Sequence, residues 1–308
     1  MQRDPWIHAD QQTETQLPGE YETLLHRGLA HFNSRRLKPG LPTEDWVLQL
    51  RSDNELLLAE GRFVEGQRAA IHDRAAAAPT DAEGFLQWFE ALEKTGPGQG
   101  DPLFPWLARH AELEAMRWFL QQEAAGEAGF DDLVALTQVR FPPRMKLEMA
   151  RNYWDEMGRG NENGMHGPML AGMVDELVLK PVIESTAWES LALANLMVAM
   201  AINRRYAYHA VGALGAIEMT APGRAVQVAA GLKRLGVATR GRMYFQLHST
   251  LDVKHSREWN REVIGPLVEA DPSCAAAIAE GALMRLAAGA RCFDHYRAEL
   301  GVPVRSLA

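Results

Sequence analysis

Residues 248–255 read HSTLDVKH and set His248, Asp252 and His255 at offsets of four and three along the chain. Because an α-helix turns once in about 3.6 residues, those offsets bring two imidazoles and a carboxylate onto one face. Tyr244, Leu251 and Trp259 share that stripe, whereas Ser249, Lys254, Arg257 and Arg261 fall largely off it. The polar three are therefore expected to point inward, and the chain has to build a core around them. An inward carboxylate is costly unless something compensates its charge. Two arrangements do so: a hydrogen-bonded core pair of His248 and Asp252, or a cation bound by the three together.

The rest of the chain reads as more helix. Ala, Leu, Glu, Met, Gln and Arg dominate, and alternating β-branched runs are scarce, so the expected class is all-α. At 308 residues and 47% hydrophobic content the chain can bury a large core, as one domain or one domain with an extension. Gly and Pro clusters at 38–43, 96–102, 141–143 and 221–224 punctuate it. The intervals predict helices over 21–36, 43–60, 64–78, 105–125, 145–157, from His166 onward, 186–221 and 240–267, then an Ala-rich closing helix; residues 1–18 read as loosely attached. No internal repeat stands out.

Several function classes are disfavoured. A formal charge of −8 with no basic run argues against a nucleic-acid surface. The N-terminal segment lacks the apolar stretch of a signal peptide, and the longest uncharged apolar stretch, 190–203, is too short to span a bilayer. Cys274 and Cys292 lie far apart without metal-type spacing, which excludes a disulfide framework and suits the cytoplasm. The GRG at 158–160 follows a helix rather than a strand and lacks a full phosphate-loop fingerprint. A small-molecule substrate fits best.

Further inward polar residues accompany the 248–255 face. Glu123 continues the stripe of Met116, Phe119 and Leu120; Glu156 aligns with Met149 and Tyr153; His166 sits at a helix start; Glu218 extends Val211, Leu214 and Gly215. With His248, Asp252 and His255 they make four carboxylates and three imidazoles. In a pocket without cations such groups would repel and desolvate one another, whereas two divalent irons neutralise the carboxylates and accept neutral imidazoles. The spacing differs from the Glu-x-x-His pattern of ferritin-like di-iron bundles.

These residues carry a resemblance. FLQQE ending at Glu123, NYWDEMGRGNENGMH with Glu156 and His166, GALGAIE ending at Glu218, and HSTLDVKH match in order and spacing the ligand pattern of the haem-oxygenase-like iron-containing redox enzymes, also called haem-oxygenase-like di-iron oxidases and oxygenases. The resemblance covers roughly residues 60–300. It implies an all-α haem-oxygenase-like helical bundle over 60–308 with a partly helical N-terminal extension over 1–59. It further implies that Glu123, Glu156, His166, Glu218, His248, Asp252 and His255 ligate two ferrous ions per chain, Glu156 bridging them, with Glu127 an alternative to Glu123. Dioxygen is the implied co-substrate, an external electron donor a possible partner, and a homodimer the implied assembly. The implied reaction is N-oxygenation, desaturation or oxidative carbon–carbon cleavage of an amine, amino acid or carboxylic acid.

Rival readings stay open at this level: a zinc metallohydrolase, a metal-free thiaminase-like or cofactor-independent enzyme on the same scaffold, and a helical interaction module without catalysis. Tyr153, Tyr206, His209 and Tyr244 are candidate pocket aromatics, and Arg204 with Arg205 candidate carboxylate binders.

Overall fold

Helix-forming composition translates directly into the structure, a computed structural model that describes residues 19–42, 45–126 and 129–303. Among the described residues there is no strand, and the one β-type pairing is an isolated bridge between Met157 and Met165. The helices are α1 (Glu20–Leu37), α2 (Trp46–Ala76), α3 (Ala82–Thr95), α4 (Leu103–Arg109), α5 (Leu113–Gly126), α6 (Phe130–Thr137), α7 (Pro143–Glu156), α8 (His166–Glu176), α9 (Trp188–Ile202), α10 (Ala207–Arg234), α11 (Thr239–Trp259), α12 (Gly265–Ala270) and α13 (Ala275–Leu300). The all-α bundle expected from the sequence is what forms. Residues 1–18 and Glu127 lie outside the described residues.

Helix α10 is the axis of the molecule, packed against α11, α13, α4 and α9. Its closest crossing is with α13: a Cβ at Gly212 would lie 1.9 Å from the Ile278 carbonyl oxygen, and one at Gly281 1.9 Å from that of His209. Only glycine permits that approach, and it draws the two helices together. Trp259 locks α11 to the same axis, its Nε1 donating to the Val211 carbonyl at 3.1 Å while its ring covers Gly215. Helix α9, the uncharged apolar stretch, is buried over most of its circumference, including Leu196, Val198 and Met200, as a core helix should be. No helix among the described residues is long and apolar enough to cross a membrane.

Several boundaries differ from expectation: α3 and α6 form where no helix was expected, and the helix predicted over 186–221 is instead α9 and α10, separated at residues 203–206. The break predicted near residue 61 is absent: α2 runs through Gly61 and Gly66, and contacts such as Arg68 with Glu280 and Arg291 with Gln67 tie its second half to α13. The single helix predicted over 105–125 is instead α4 and α5, separated at residues 110–112. The Arg234 guanidinium caps the end of α4, its Nε donating to the Ala108 carbonyl at 3.0 Å. Finally, α10 does not stop at the 221–224 cluster but continues through Pro222 to Arg234. Proline removes one helical hydrogen bond, but the burial of Ala225, Val228 and Leu232 keeps the chain helical beyond it.

Candidate metal centre

The site begins at the end of α7. Pro143 starts this helix at a position where its missing N–H costs nothing, and Asn152, Asp155 and Glu156 are buried in the last turn. The chain then reverses through Gly158 (φ +60°), Arg159 (φ 54°) and Gly160 (φ +84°). At Gly158 a Cβ would come within 2.4 Å of the Gly164 carbonyl carbon, so glycine is required by both conformation and space. Arg159 is held in its left-handed conformation by a charge-assisted hydrogen bond from Nε to Asp155 Oδ1, 2.6 Å. The Met157–Met165 bridge closes the loop and delivers His166 as the first residue of α8. The nine-residue spacer between Glu156 and His166 is thus a staple, leaving His166 Nδ1 against Glu156 Oε2.

Helix α11 supplies the facing side. The His248 ring lies 4.4 Å from that of His166 between centroids, and its Nδ1–H donates to the Tyr244 carbonyl at 2.7 Å. That bond fixes the tautomer and leaves Nε2 with a lone pair for a cation. Two turns further on, His255 Nε2–H donates to Asp155 Oδ2 at 3.1 Å, while Nδ1 faces Glu218 Oε2 at 3.5 Å and Glu156 Oε1 at 3.9 Å. Glu218, from α10, also accepts a hydrogen bond from Asn152 Nδ2 at 2.6 Å.

Two donor groups result: Glu156, His166 and His248, and Glu156, Glu218 and His255, each offering ligand atoms within 4.8 Å of one another. Glu156 belongs to both. Asp252, 2% exposed, and Glu123 lie outside these close groups but line the same cavity as Glu156, Glu218 and His248. Glu123 accepts a hydrogen bond from the Tyr296 hydroxyl at 3.1 Å.

The cavity has a volume of about 120 Å³, with Phe104, Phe119, Leu170, Met173, Val228 and Phe245 as apolar wall and Arg224 and Arg285 as its basic members. Tyr244 lines it as well. The other aromatic and basic candidates lie elsewhere. The Tyr206 hydroxyl donates to Glu65, His209 bonds Glu280, Arg205 bonds Glu65, Arg204 donates to the Thr137 carbonyl, and Tyr153 packs on the hydrophobic core.

Electrostatics separates the histidines. Burial, reinforced by the neighbouring His166, pushes His248 down to about 4, so it stays a neutral imidazole. Burial would lower His255 too, but Glu218, Asp155 and Glu156 together raise it to about 9 in the metal-free protein. Burial raises the Glu123 carboxyl, against the opposing pull of Arg224. At Asp155 burial is outweighed by hydrogen bonds from Arg159 and His255, which hold the carboxyl below its usual range.

Asp155 and Asn152 do not emerge from the sequence reading. Their signal is present in retrospect: Asn152 precedes Glu156 by one helical turn, and Asp155 precedes Arg159 by one. Arg224 and Arg285, which also line the cavity, carry no such signal, Arg224 because it sits in a Gly-Pro cluster.

The donor set fits iron. Carboxylate oxygens and imidazole nitrogens without thiolate suit ferrous ions, and the nitrogen opposite the metal-facing one is occupied by a carbonyl at His248 and a carboxylate at His255, as metal-binding histidines require. No curated protein matches the chain. The family model described as iron-containing redox enzyme matches residues 117–290, more than half of the chain and a segment that holds all seven candidate donors. The chain therefore belongs to that family of iron-containing redox enzymes.

Proposed function

We propose that this oxidoreductase is a non-haem di-iron enzyme that uses dioxygen to oxidise a small organic substrate. The observation that supports the reading is the pair of donor groups sharing Glu156, which would hold two cations side by side. Glu156, His166 and His248, with Glu123 completing the set, would hold one ion. Glu156, Glu218 and His255, with Asp252, would hold the other. When bound, two ferrous ions supply electrons for reducing dioxygen, and an external donor would return them to the ferrous state.

The protein's own residues set the conditions for that chemistry. His248 is held neutral and oriented by the Tyr244 carbonyl. Asp155 and Asn152 orient His255 and Glu218. The apolar wall of Phe104, Phe119 and Leu170 keeps water from the organic substrate. Four carboxylates exceed what a zinc hydrolase site of about four ligands employs. A thiol nucleophile is disfavoured too: burial pushes Cys274 up to about 11 and Cys292 up to about 12. In this reading residues 60–308 form the iron domain and 1–59 its N-terminal extension, of which α1 packs on α9, and the enzyme works as a cytoplasmic homodimer.

Anaerobic reconstitution with Fe²⁺ tests the reading. The expected result is two irons per chain and, on admission of oxygen, a transient absorption near the visible that is lost in His248→Ala. Failure to take up iron, with metal content unchanged by His248→Ala, would overturn it.

A further inference from the structure

The outer face of α7, with the end of α11 beside it, has a charge opposite to that of the whole chain. Residues 139–165 and 253–262 together hold eight Arg and Lys against six Asp and Glu, in a chain whose net charge is −8. One of the six, Glu156, belongs to the donor groups. Four more are paired and turned inward: Arg144 bonds Glu262, Arg151 bonds Glu148, Arg159 bonds Asp155 and Arg261 bonds Glu258. Those arginine side chains are 55–64% exposed and their carboxylates 5–25%, so each pair sets the acid beneath and the guanidinium above. Glu162 is the exposed acid of the set. Arg140 and Lys146 add charge along a groove of about 440 Å³ at the start of α7, and Leu147 and Trp154 break the basic surface with exposed apolar area. We propose that this face is the docking surface for an acidic iron–sulfur electron-transfer protein that returns the irons to the ferrous state. The proposal rests on the di-iron reading, which requires an external reductant.

Position ties the face to the donor groups. At the surface Arg159 Nε donates to Asp155 Oδ1 at 2.6 Å, and the other oxygen of that carboxylate accepts from His255 Nε2–H at 3.1 Å. His255 in turn belongs to the donor group with Glu156 and Glu218. Two hydrogen bonds thus join the protein surface to a candidate iron ligand. Trp154 leads inward along the backbone as well, one residue from Asp155 and two from Glu156. Covalent and hydrogen bonds carry an electron better than open space does, so a partner seated on α7 meets a short bonded connection. Charge selects the partner, because a basic face on an acidic chain steers an acidic patch toward it during diffusional encounter. Exposed Trp and Arg side chains are the types enriched at protein interfaces. Complexes that pass electrons are small, which suits one helix face and the neighbouring helix end. Each encounter moves one electron: the partner's reduced cluster is oxidised, one ferric ion becomes ferrous, and no atom or proton is exchanged. Two encounters restore both irons.

The probe is a plant-type [2Fe–2S] ferredoxin, an acidic one-electron donor. Calorimetric titration of the oxidised ferredoxin into the full chain reads docking and needs no iron loading. Stopped-flow absorbance of reduced ferredoxin, mixed anaerobically with the ferric-loaded chain, reads electron transfer, and a colorimetric chelator measures iron content separately. For the wild-type chain, affinity and transfer rate are both expected to fall at least about tenfold as ionic strength rises from about 0.02 to about 0.3 M. Arg140→Glu combined with Lys146→Glu is expected to weaken docking about tenfold at the lower ionic strength, with iron content the same. Lys233→Glu, in the last turn of α10, is expected to change it less than about twofold. Equal losses in these variants overturn the proposal. So do wild-type results that need no variant to fold: no ferredoxin binding, binding indifferent to salt, or uptake onto phosphatidylglycerol vesicles in place of ferredoxin. If ferredoxin docks through the basic face of a chain that takes up no iron, the di-iron reading falls and the docking surface stands. If iron binds and ferredoxin reduces it at a rate indifferent to salt and to the double substitution, the reverse holds.

Discussion

Helix α10 carries two buried acid–imidazole networks, and they solve the same electrostatic problem differently. Near its start, His209 meets Glu280 of α13 at 2.7 Å, and Arg68 of α2 closes the set with a 2.7 Å bond from Nε to the same carboxylate oxygen. His209 and Glu280 are each 5% exposed, and the network lines no part of the site cavity. Nine residues further along, Glu218 faces His255 and the Asn152 amide, and with Glu156 it borders the cavity. In the first network a guanidinium provides the compensating charge. In the second the groups facing Glu218 are an imidazole and an amide, the metal-free protein keeps the positive charge on His255, and the donor groups could exchange that proton for a cation from outside. Residue type alone does not separate a structural network from a metal site; the source of the positive charge and the presence of a cavity do.

The sharpest way to break this contrast is to remove the shared carboxylate on each side. On the proposed di-iron reading, Glu156→Ala is expected to abolish iron binding, because the residue belongs to both donor groups. The wild-type midpoint should rise with Fe²⁺, by about 2.7 kcal/mol of stability when the free ion is at a hundredfold its Kd, and that response should vanish in the variant. Glu280→Ala should do the opposite: iron stoichiometry unchanged, stability lower by about 1–3 kcal/mol with or without iron, since His209 and Arg68 lose their buried partner. Metal analysis and thermal denaturation of both proteins read the outcome. Iron loss in Glu280→Ala, or full occupancy in Glu156→Ala, would dissolve the distinction.

The same contrast explains what was legible in the sequence. Glu156, Glu218, His248, Asp252 and His255 could be found because each continues an apolar stripe, and helical periodicity survives into the bundle. The turn joining Glu156 to His166 was legible as a break, but its role as a staple depends on the Met157–Met165 pairing and the Gly158–Gly164 approach. Those are contacts across the loop, and periodicity does not report them. Local chemistry at Pro222 predicts a stop, yet burial of Val228 and Leu232 carries α10 past it. That misplaced boundary also hid Arg224. His209, a pocket candidate by its position, proves to belong to the arginine-closed network, and only the arrival of Arg68 and Glu280 from distant segments reveals that.

A smaller effect probes the residues behind the donors. Asp155→Asn preserves shape but removes the charge that accepts from His255 Nε2–H and anchors Arg159. Iron affinity is expected to fall about 10- to 100-fold, the usual consequence of losing a carboxylate behind a metal-binding histidine. Competition against a chelator of known affinity measures it, and the His209 network should be untouched. An unchanged affinity would mean that His255 needs no orienting partner.

The most diagnostic difference lies in pH. In the metal-free protein His255 is raised from 6.5 to about 9, because Glu218, Asp155 and Glu156 outweigh its burial. A raised folded-state pKa stabilises at low pH and loses that contribution as pH climbs, so this network should weaken between about 6.5 and 9. Glu280 has the opposite sign. Its burial is outweighed by Arg68 and His209, its carboxyl is held below the usual range, and its contribution is present at neutral pH and lost as pH falls through that lowered value. Thermal midpoints across pH should therefore show an alkaline decline that His255→Gln removes and an acid decline that Glu280→Gln removes. Iron should erase the alkaline limb alone, since a metal-bound His255 Nδ1 carries no proton to lose, and it should leave the acid limb in place because Arg68 already supplies that network's cation.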